Sequence, residues 1–307
     1  MANPSTTHRR PDRFDFATTA LTFESQGTRC RGQFYRPDRP ATPPVVVLAP
    51  DVAAEATFGY TRYAERFARA GYAALAVDYR GVGENEGTGP TAIDPVAQAA
   101  DIEAAVDRVR RLDGERRRVV VWGHGLGGGH ALAAAAASRR VAAAVAVAPF
   151  LDGRSFARKR SLGYLSRALR SGGRDRLGSP LGRSTTVPIV GGVGEFGLLP
   201  RRPAGDAYLD LIPRESDWAN ATPARGILAL FRYRPITDVG DVDCPTFVVV
   251  AGEDDLVSPE TAATAADRID GAALLRLPVG HVDPLGEAFE TAVAHQIAFL
   301  DGVVGRP

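Results

Sequence analysis

Lysine is almost missing from this chain. Lys159 stands alone among 37 basic residues, the rest being arginine, against 36 acidic ones. The formal charge of +1 removes any chain-wide electrostatic reason to expect nucleic acid or a membrane as partner. We read the arginine bias as genomic composition and not as chemistry. Cysteine is scarce too. Cys30 and Cys244 are too few for a disulfide framework and read as two buried or half-buried thiols. No apolar run reaches the roughly 18 residues of a membrane span. The opening MANPSTTHRRPDR lacks an apolar h-region, so it reads as a disordered tail and not a secretory signal. A cytoplasmic protein is the expectation. No Walker lysine follows the glycine-dense run at 123–129, and a G-x-G-x-x-G with a downstream ribose acid is missing, so nucleotide binding is not expected.

What is there shows in its order. A length of 307 with 45% hydrophobic residues is enough for one large domain or two small ones. Ala20–Glu24 and Arg29–Tyr35 read as strands joined by a turn, and Pro37–Pro44 as a proline-rich loop. Val45–Leu48, Ala73–Val77, Val119–Val121, Val141–Ala148, Thr246–Val250 and Ala273–Leu277 read as strands, the more continuous of them buried on both faces. Between them, Tyr60, Tyr63, Ala64 and Phe67 recur at helical spacing up to Gly71, and Ala99, Ile102, Val106 and Val109 do so up to Gly114. Ala131–Ala137, Thr261–Ile269 and a run from Phe289 to Leu300 add three more helices. Strands alternating with helices imply a mostly parallel sheet covered on both faces. The alternation stops at Pro149 and resumes near 238. The expected division is a tail over 1–19, a core over 20–149 and 238–307, and a partly helical cap inserted over 150–237. The arginines at the start of that insertion read as a solvated face.

Four stretches carry a resemblance. They are the strand–glycine turn–helix RVVVWGHGLGGGHALA, the loop DYRGVGENEG, the segment RPITDVGDVDCPTFVVVAGEDDLVSP, and PVGHVDP. With these, in this order, the sequence resembles the α/β-hydrolase superfamily, and within it the capped bacterial esterase and dienelactone-hydrolase-like branch. The resemblance runs from about Ala20 to Leu300. It implies a nucleophile elbow, G-x-S-x-G, at the end of the central strand, followed in chain order by an acid and a histidine. The elbow here is Gly123-His124-Gly125-Leu126-Gly127. Gly125 stands in the serine position and has no side chain to attack with. Asp255 matches the acid, with Asp254 as the neighbouring alternative, and His281 matches the histidine. An aspartate on one ring nitrogen orients an imidazole and raises its basicity. Val52 and Leu126 match the residues whose N–H groups form an oxyanion hole. Asp51 stands where similar hydrolases often have glycine. Its carboxylate disfavours an oxyanion if it points inward, and caps the 53–60 region if it points away. Gly125 is expected to leave a void beside His281, roofed by the insertion.

His124 reads as packing beneath the turn and His130 as facing the core. No spacing among His124, His130, His281 and the carboxylates is diagnostic of a metal, and no cofactor is implied. Tyr164, Tyr208, Trp218, Phe231 and Tyr233 either line an apolar pocket or form the insertion's own core. Three functions stay open. One is an enzyme working without serine, its His281–Asp255 dyad acting as general base on a small carbonyl- or ester-bearing molecule in an elimination, cyclisation or isomerisation. Another is a serine esterase whose nucleophile was replaced. The third is a non-catalytic binding protein. The double departure at Gly125 and Asp51 favours the first. The expected partner is a small molecule, with no nucleic acid and no membrane, and the sequence says nothing of oligomeric state.

Overall fold

The structure is a computed structural model that describes residues 14–39, 42–83, 85, 92–114, 116–201 and 203–305. The expected tail therefore lies outside the described residues up to 13, as does most of the second half of DYRGVGENEG. The first strand, β1 (Phe16–Ser25), begins inside the span read as tail, because Phe16 starts a ten-residue antiparallel ladder with β2 (Thr28–Pro37).

β3 (Val45–Ala49), β4 (Ala73–Val77), β5 (Val119–His124) and β6 (Val141–Val147) follow, and β9 (Thr246–Ala251) and β10 (Ala273–Leu277) complete an eight-stranded sheet in the order β1-β2-β4-β3-β5-β6-β9-β10. The two pairings of β2 are antiparallel, and all pairings from β4 to β10 are parallel. The uninterrupted valine runs are explained by double-sided burial. Val46, Leu48, Val120 and Trp122 face one core, shared with Tyr63 and Phe67 of α1 (Tyr60–Arg69) and Val293 of α9 (Phe289–Val303). Val45, Val47, Val119 and Val121 face the other, with Ile102 of α2 (Pro95–Arg110) and Leu132 of α3 (Leu126–Ala137). Period-two alternation sends neighbouring side chains to opposite faces. Asp94 starts α2 by accepting N–H bonds from Val96 and Ala97.

After β6 the chain leaves the sheet. It forms α4 (Gly153–Arg158), α5 (Leu162–Gly178), the short antiparallel pair β7 (Thr186–Val187) and β8 (Thr222–Pro223), α6 (Pro203–Asp210) and α7 (Arg225–Arg232). It re-enters at β9, and α8 (Pro259–Arg268) connects β9 to β10. Among the described residues no helix is long and apolar enough to cross a membrane.

Candidate active site

The carboxyl ends of β3, β5, β9 and β10 share one edge of the sheet, the usual ligand edge of an open parallel fold. The turn between β5 and α3 sits at its centre. Gly125 there has φ 55° and ψ −121°, a region open mainly to glycine. α3 begins directly at Leu126, five residues earlier than the alanine run alone suggests. That leaves the Leu126 N–H unpaired within the helix and aimed at the strand ends.

The space beside Gly125 is occupied. A Cβ built on Gly125 would overlap the carboxylate of Asp51. Asp51 follows β3, is 4% exposed, and points inward. Its Oδ1 accepts the N–H of Leu126 at 2.6 Å and of Val52 at 2.7 Å. Its Oδ2 lies 3.0 Å from His281 Nε2. Its own N–H donates to the Tyr60 hydroxyl at 2.9 Å. The expected void is therefore not there: a carboxylate from the neighbouring strand fills it, held by the two N–H groups that the resemblance assigns to an oxyanion.

His281 is 2% exposed. Its Nδ1 meets Asp254 Oδ2 at 2.6 Å, so Asp254 takes the place expected of Asp255. The reason for the one-residue shift is local. Parallel pairing runs on past β9, with Gly252 N–H bonding Leu277 O at 2.7 Å and Glu253 N–H bonding Val279 O at 3.0 Å. The chain turns only at Asp254, whose Oδ1 accepts the N–H groups of Leu256 and Val257 at 2.8 and 2.9 Å. That turn fixes the carboxylate towards His281, and Asp255 stays half-buried beside it.

Burial alone would strip the proton from His281. The charge and hydrogen bond of Asp254, followed by those of Asp51, outweigh it and raise its pKa to about 10. Burial also works against the Asp51 carboxylate, but the His281 hydrogen bond and charge, His124 and the Leu126 N–H together hold its pKa below the ordinary value. His281 therefore holds its proton more tightly than an ordinary histidine, with Asp254 at one ring nitrogen and Asp51 at the other.

His124 donates its Nε2–H to the backbone oxygen of His281 at 2.8 Å, which leaves Nδ1 bare, 3.3 Å from the Tyr60 hydroxyl. Burial and the charge of His281 push its pKa down to about 4. It braces the loop that carries His281. His130 is buried, with Nδ1 2.6 Å from the Tyr233 hydroxyl, and burial lowers its pKa to about 3. Asp51 Oδ2, His124 Nδ1 and His281 Nε2 lie within 4.8 Å of one another and could hold one divalent ion if His281 gave up its proton. As arranged, these atoms satisfy one another and Tyr60.

The stretch between β6 and β9 packs against the Asp51 loop. Tyr208 donates to Val52 O at 2.8 Å and Trp218 to Ala53 O at 2.9 Å, and both rings pack edge-on against Phe58. They hold the Asp51 loop. Tyr164 bonds Leu198 O and Phe231 packs near Phe156, contacts internal to the insertion. A cavity of about 870 Å³ opens beside Arg80, Ile93, Asp94 and Tyr233, and neither Asp51 nor His281 lines it. Sequence reasoning passed over Tyr60. It has an apolar position in the α1 stripe, and nothing in that pattern reports a hydroxyl aimed at the next loop.

The fold and this constellation place the molecule among the α/β-hydrolases. The chain belongs to that family: the family described as "Alpha/beta hydrolase family" matches residues 46–295. It is similar to the quorum-quenching protein AidA of Acinetobacter baumannii, with 33% identity over 285 residues, 92% of this chain and 94% of that one. Among solved structures it resembles DcsB in complex with its substrate analogue, at TM-score 0.81 and 24% identity, covering 94% of this chain and 100% of that one. It also resembles the α/β hydrolase GrgF from Penicillium sp. sh18, at TM-score 0.78 and 23% identity, covering 94% and 99%. These two likenesses show the fold alone. The chain is thus an α/β-hydrolase-fold enzyme in the broad sense.

Proposed function

We propose that this enzyme acts on a small carbonyl- or ester-bearing molecule by proton transfer, in an elimination, cyclisation or isomerisation, without a serine nucleophile. One observation carries the reading: the Asp51 carboxylate sits in the side-chain space of residue 125 with Oδ1 on both backbone donors. A developing oxyanion would meet a fixed negative charge there instead of free N–H groups, which disfavours acyl transfer. The same arrangement suits proton chemistry. Asp51 Oδ2 is the base and the His281 imidazolium, 3.0 Å away, is the acid. Asp254 keeps His281 oriented and charged. A proton taken next to a carbonyl goes to Asp51, and one from His281 protonates the leaving or rearranged atom, so the charge of the site is unchanged. This exchanges the base role expected of His281 for an acid role.

The relation to a quorum-quenching protein supports a small signalling molecule as the substrate class. Access requires the contacts of Tyr208 and Trp218 with the Asp51 loop to part. The test is incubation of the protein in D2O with a panel of small ketones, acyl lactones and esters, followed by NMR. Deuterium incorporation or isomerised product is expected, reduced about 100-fold or more in Asp51→Asn and in His281→Gln, the usual worth of a positioned acid or base. Fast ester hydrolysis unaffected by Asp51→Asn would overturn the proposal. So would saturable binding of panel members without any turnover, the outcome for a binding protein.

A further inference from the structure

We propose that the exposed face of α5 docks the protein on an anionic phospholipid surface. This is independent of the reaction proposed above. Leu162 is 85% exposed, Leu169 62%, Leu177 80% and Leu181 75%, all on α5 or the 3-10 turn Ser179–Leu181 that follows it. They rank with the most exposed large apolar side chains among the described residues. Folding leaves them outside because α5 spends its other side on the body of the protein. Ala168, Gly172 and Asp175 are its buried residues, and Gly172 abuts Leu228 of α7.

Helical geometry sorts the exposed half into two stripes. Leu162, Leu169 and Leu177 stand seven and eight residues apart, about two turns each, and so share one stripe. Arg167, Arg170 and Arg174, three and four residues apart, form a second stripe beside it, and all three are exposed. None of these arginines has a carboxylate partner among the described residues. Between Arg154 and Arg183 the only acidic residue is Asp175. It faces inward and is used up by Ser184 Oγ, the Thr185 N–H and Arg225. The chain-wide charge of +1 therefore conceals a strongly basic, leucine-bearing face.

Leucine beside arginine on one surface helix is the pattern of an element lying in a membrane interface. There the apolar side chains enter the headgroup–acyl boundary and the cations meet lipid phosphates. A second copy of the chain fits less well. A two-fold contact through this face would set Arg167, Arg170 and Arg174 against their own copies, and like charges facing each other are unfavourable. The helix lies on the bilayer and does not cross it, consistent with its length and composition.

Co-sedimentation with vesicles tests this. The protein is expected to bind vesicles of phosphatidylcholine mixed with phosphatidylglycerol, to leave phosphatidylcholine vesicles alone, and to be released as salt shortens the Debye length. Replacing all three cations (Arg167→Gln, Arg170→Gln, Arg174→Gln) should lower the partition about 100-fold, near fivefold for each. Leu169→Ser with Leu177→Ser should lower it about tenfold or more. These positions are exposed, so circular dichroism and melting temperature should not change. Three results would overturn the proposal: equal binding to both vesicle types, binding to neither, or a dimer by light scattering that the leucine variant dissolves.

Discussion

On the β9–β10 side of the site, Asp254 and His281 stand as the α/β-hydrolase pattern leads one to expect, one residue out of step. On the β3–β5 side the backbone keeps the family's shape while the side chains have changed places. Gly125 holds the tight turn, and Val52 and Leu126 still aim their N–H groups at one point. The group they hold has moved from the β5 turn to the β3 loop, where Asp51 supplies a carboxylate. The difference separates two properties that usually travel together. Donor geometry is a property of the strand ends and survives. Which side chain fills the shared space depends on which loop sends one there.

The most severe way to break this comparison is to send the side chain back. Gly125→Ser alone should fail as a hydrolase. Its Cβ collides with Asp51, crowding that costs about 1–3 kcal/mol. The positive φ of 55° adds strain of about 1–3 kcal/mol for a residue other than glycine. Denaturant melts should show the loss, and an activated fluorophosphonate should leave the variant unlabelled. Combining Gly125→Ser with Asp51→Gly clears the seat and frees both N–H donors, and position 125 should then be labelled. Labelling of the single variant at the rate of the double one would mean that Asp51 does not hold the seat.

Much of this was legible in advance, and what was not has physical causes. The valine runs of β3, β5 and β9 declare a doubly covered parallel sheet, because a strand buried on both faces has no polar side to alternate with. His281 follows the last strand, where the resemblance expects a histidine, and it lies between Asp254 and Asp51. The choice between Asp254 and Asp255 was not legible, since it depends on two hydrogen bonds that prolong the pairing of β9 and β10 past the last apolar residue. The direction of Asp51 depends on the Leu126 N–H at the start of α3, 75 positions along the chain, and on His281, 230 positions along. Tyr60, Tyr208 and Trp218 carry polar tips that an apolar pattern does not report. The arginines of α5 read as solvated from the sequence, but the exposure of Leu162, Leu169 and Leu177 depends on which side of the helix packs on the protein.

The intermediate test uses pH. The folded pKa of His281 is raised to about 10, so its contribution to stability is complete below the ordinary histidine value near 6.5 and is lost as pH rises from there through 10. The folded pKa of Asp51 is lowered, so its contribution is present above the ordinary carboxylate value and is lost as pH falls below it. His124 and His130, held neutral with pKa values near 4 and 3, add a loss of stability as pH falls below about 6.5. Melting temperature should therefore decline from about pH 6.5 towards 10 in the native protein. In His281→Gln the decline over that window should be much shallower, while the acid limb remains. Parallel alkaline limbs in the two proteins would show that His281 is not the proton held between Asp51 and Asp254.

The smallest expected effect separates the two neighbouring aspartates. Asp254 is buried, and its two oxygens bond His281, Leu256 and Val257. In Asp254→Asn the amide oxygen can still accept from the turn or from His281, but the charge that keeps His281 protonated is gone. Turnover of the D2O assay should fall, less than for His281→Gln, and its alkaline limit should move to lower pH as the His281 pKa drops. Asp255 lies half-buried in the same turn and takes no part in the contacts that hold His281. Asp255→Asn should therefore leave turnover and its pH limit unchanged and alter stability by no more than about 0.5 kcal/mol, the usual range for a substitution away from such contacts. If Asp255→Asn shifted the pH limit and Asp254→Asn did not, the carboxylate paired with His281 in solution would be the other one. The β9–β10 side would then need rebuilding while the Asp51 side stood.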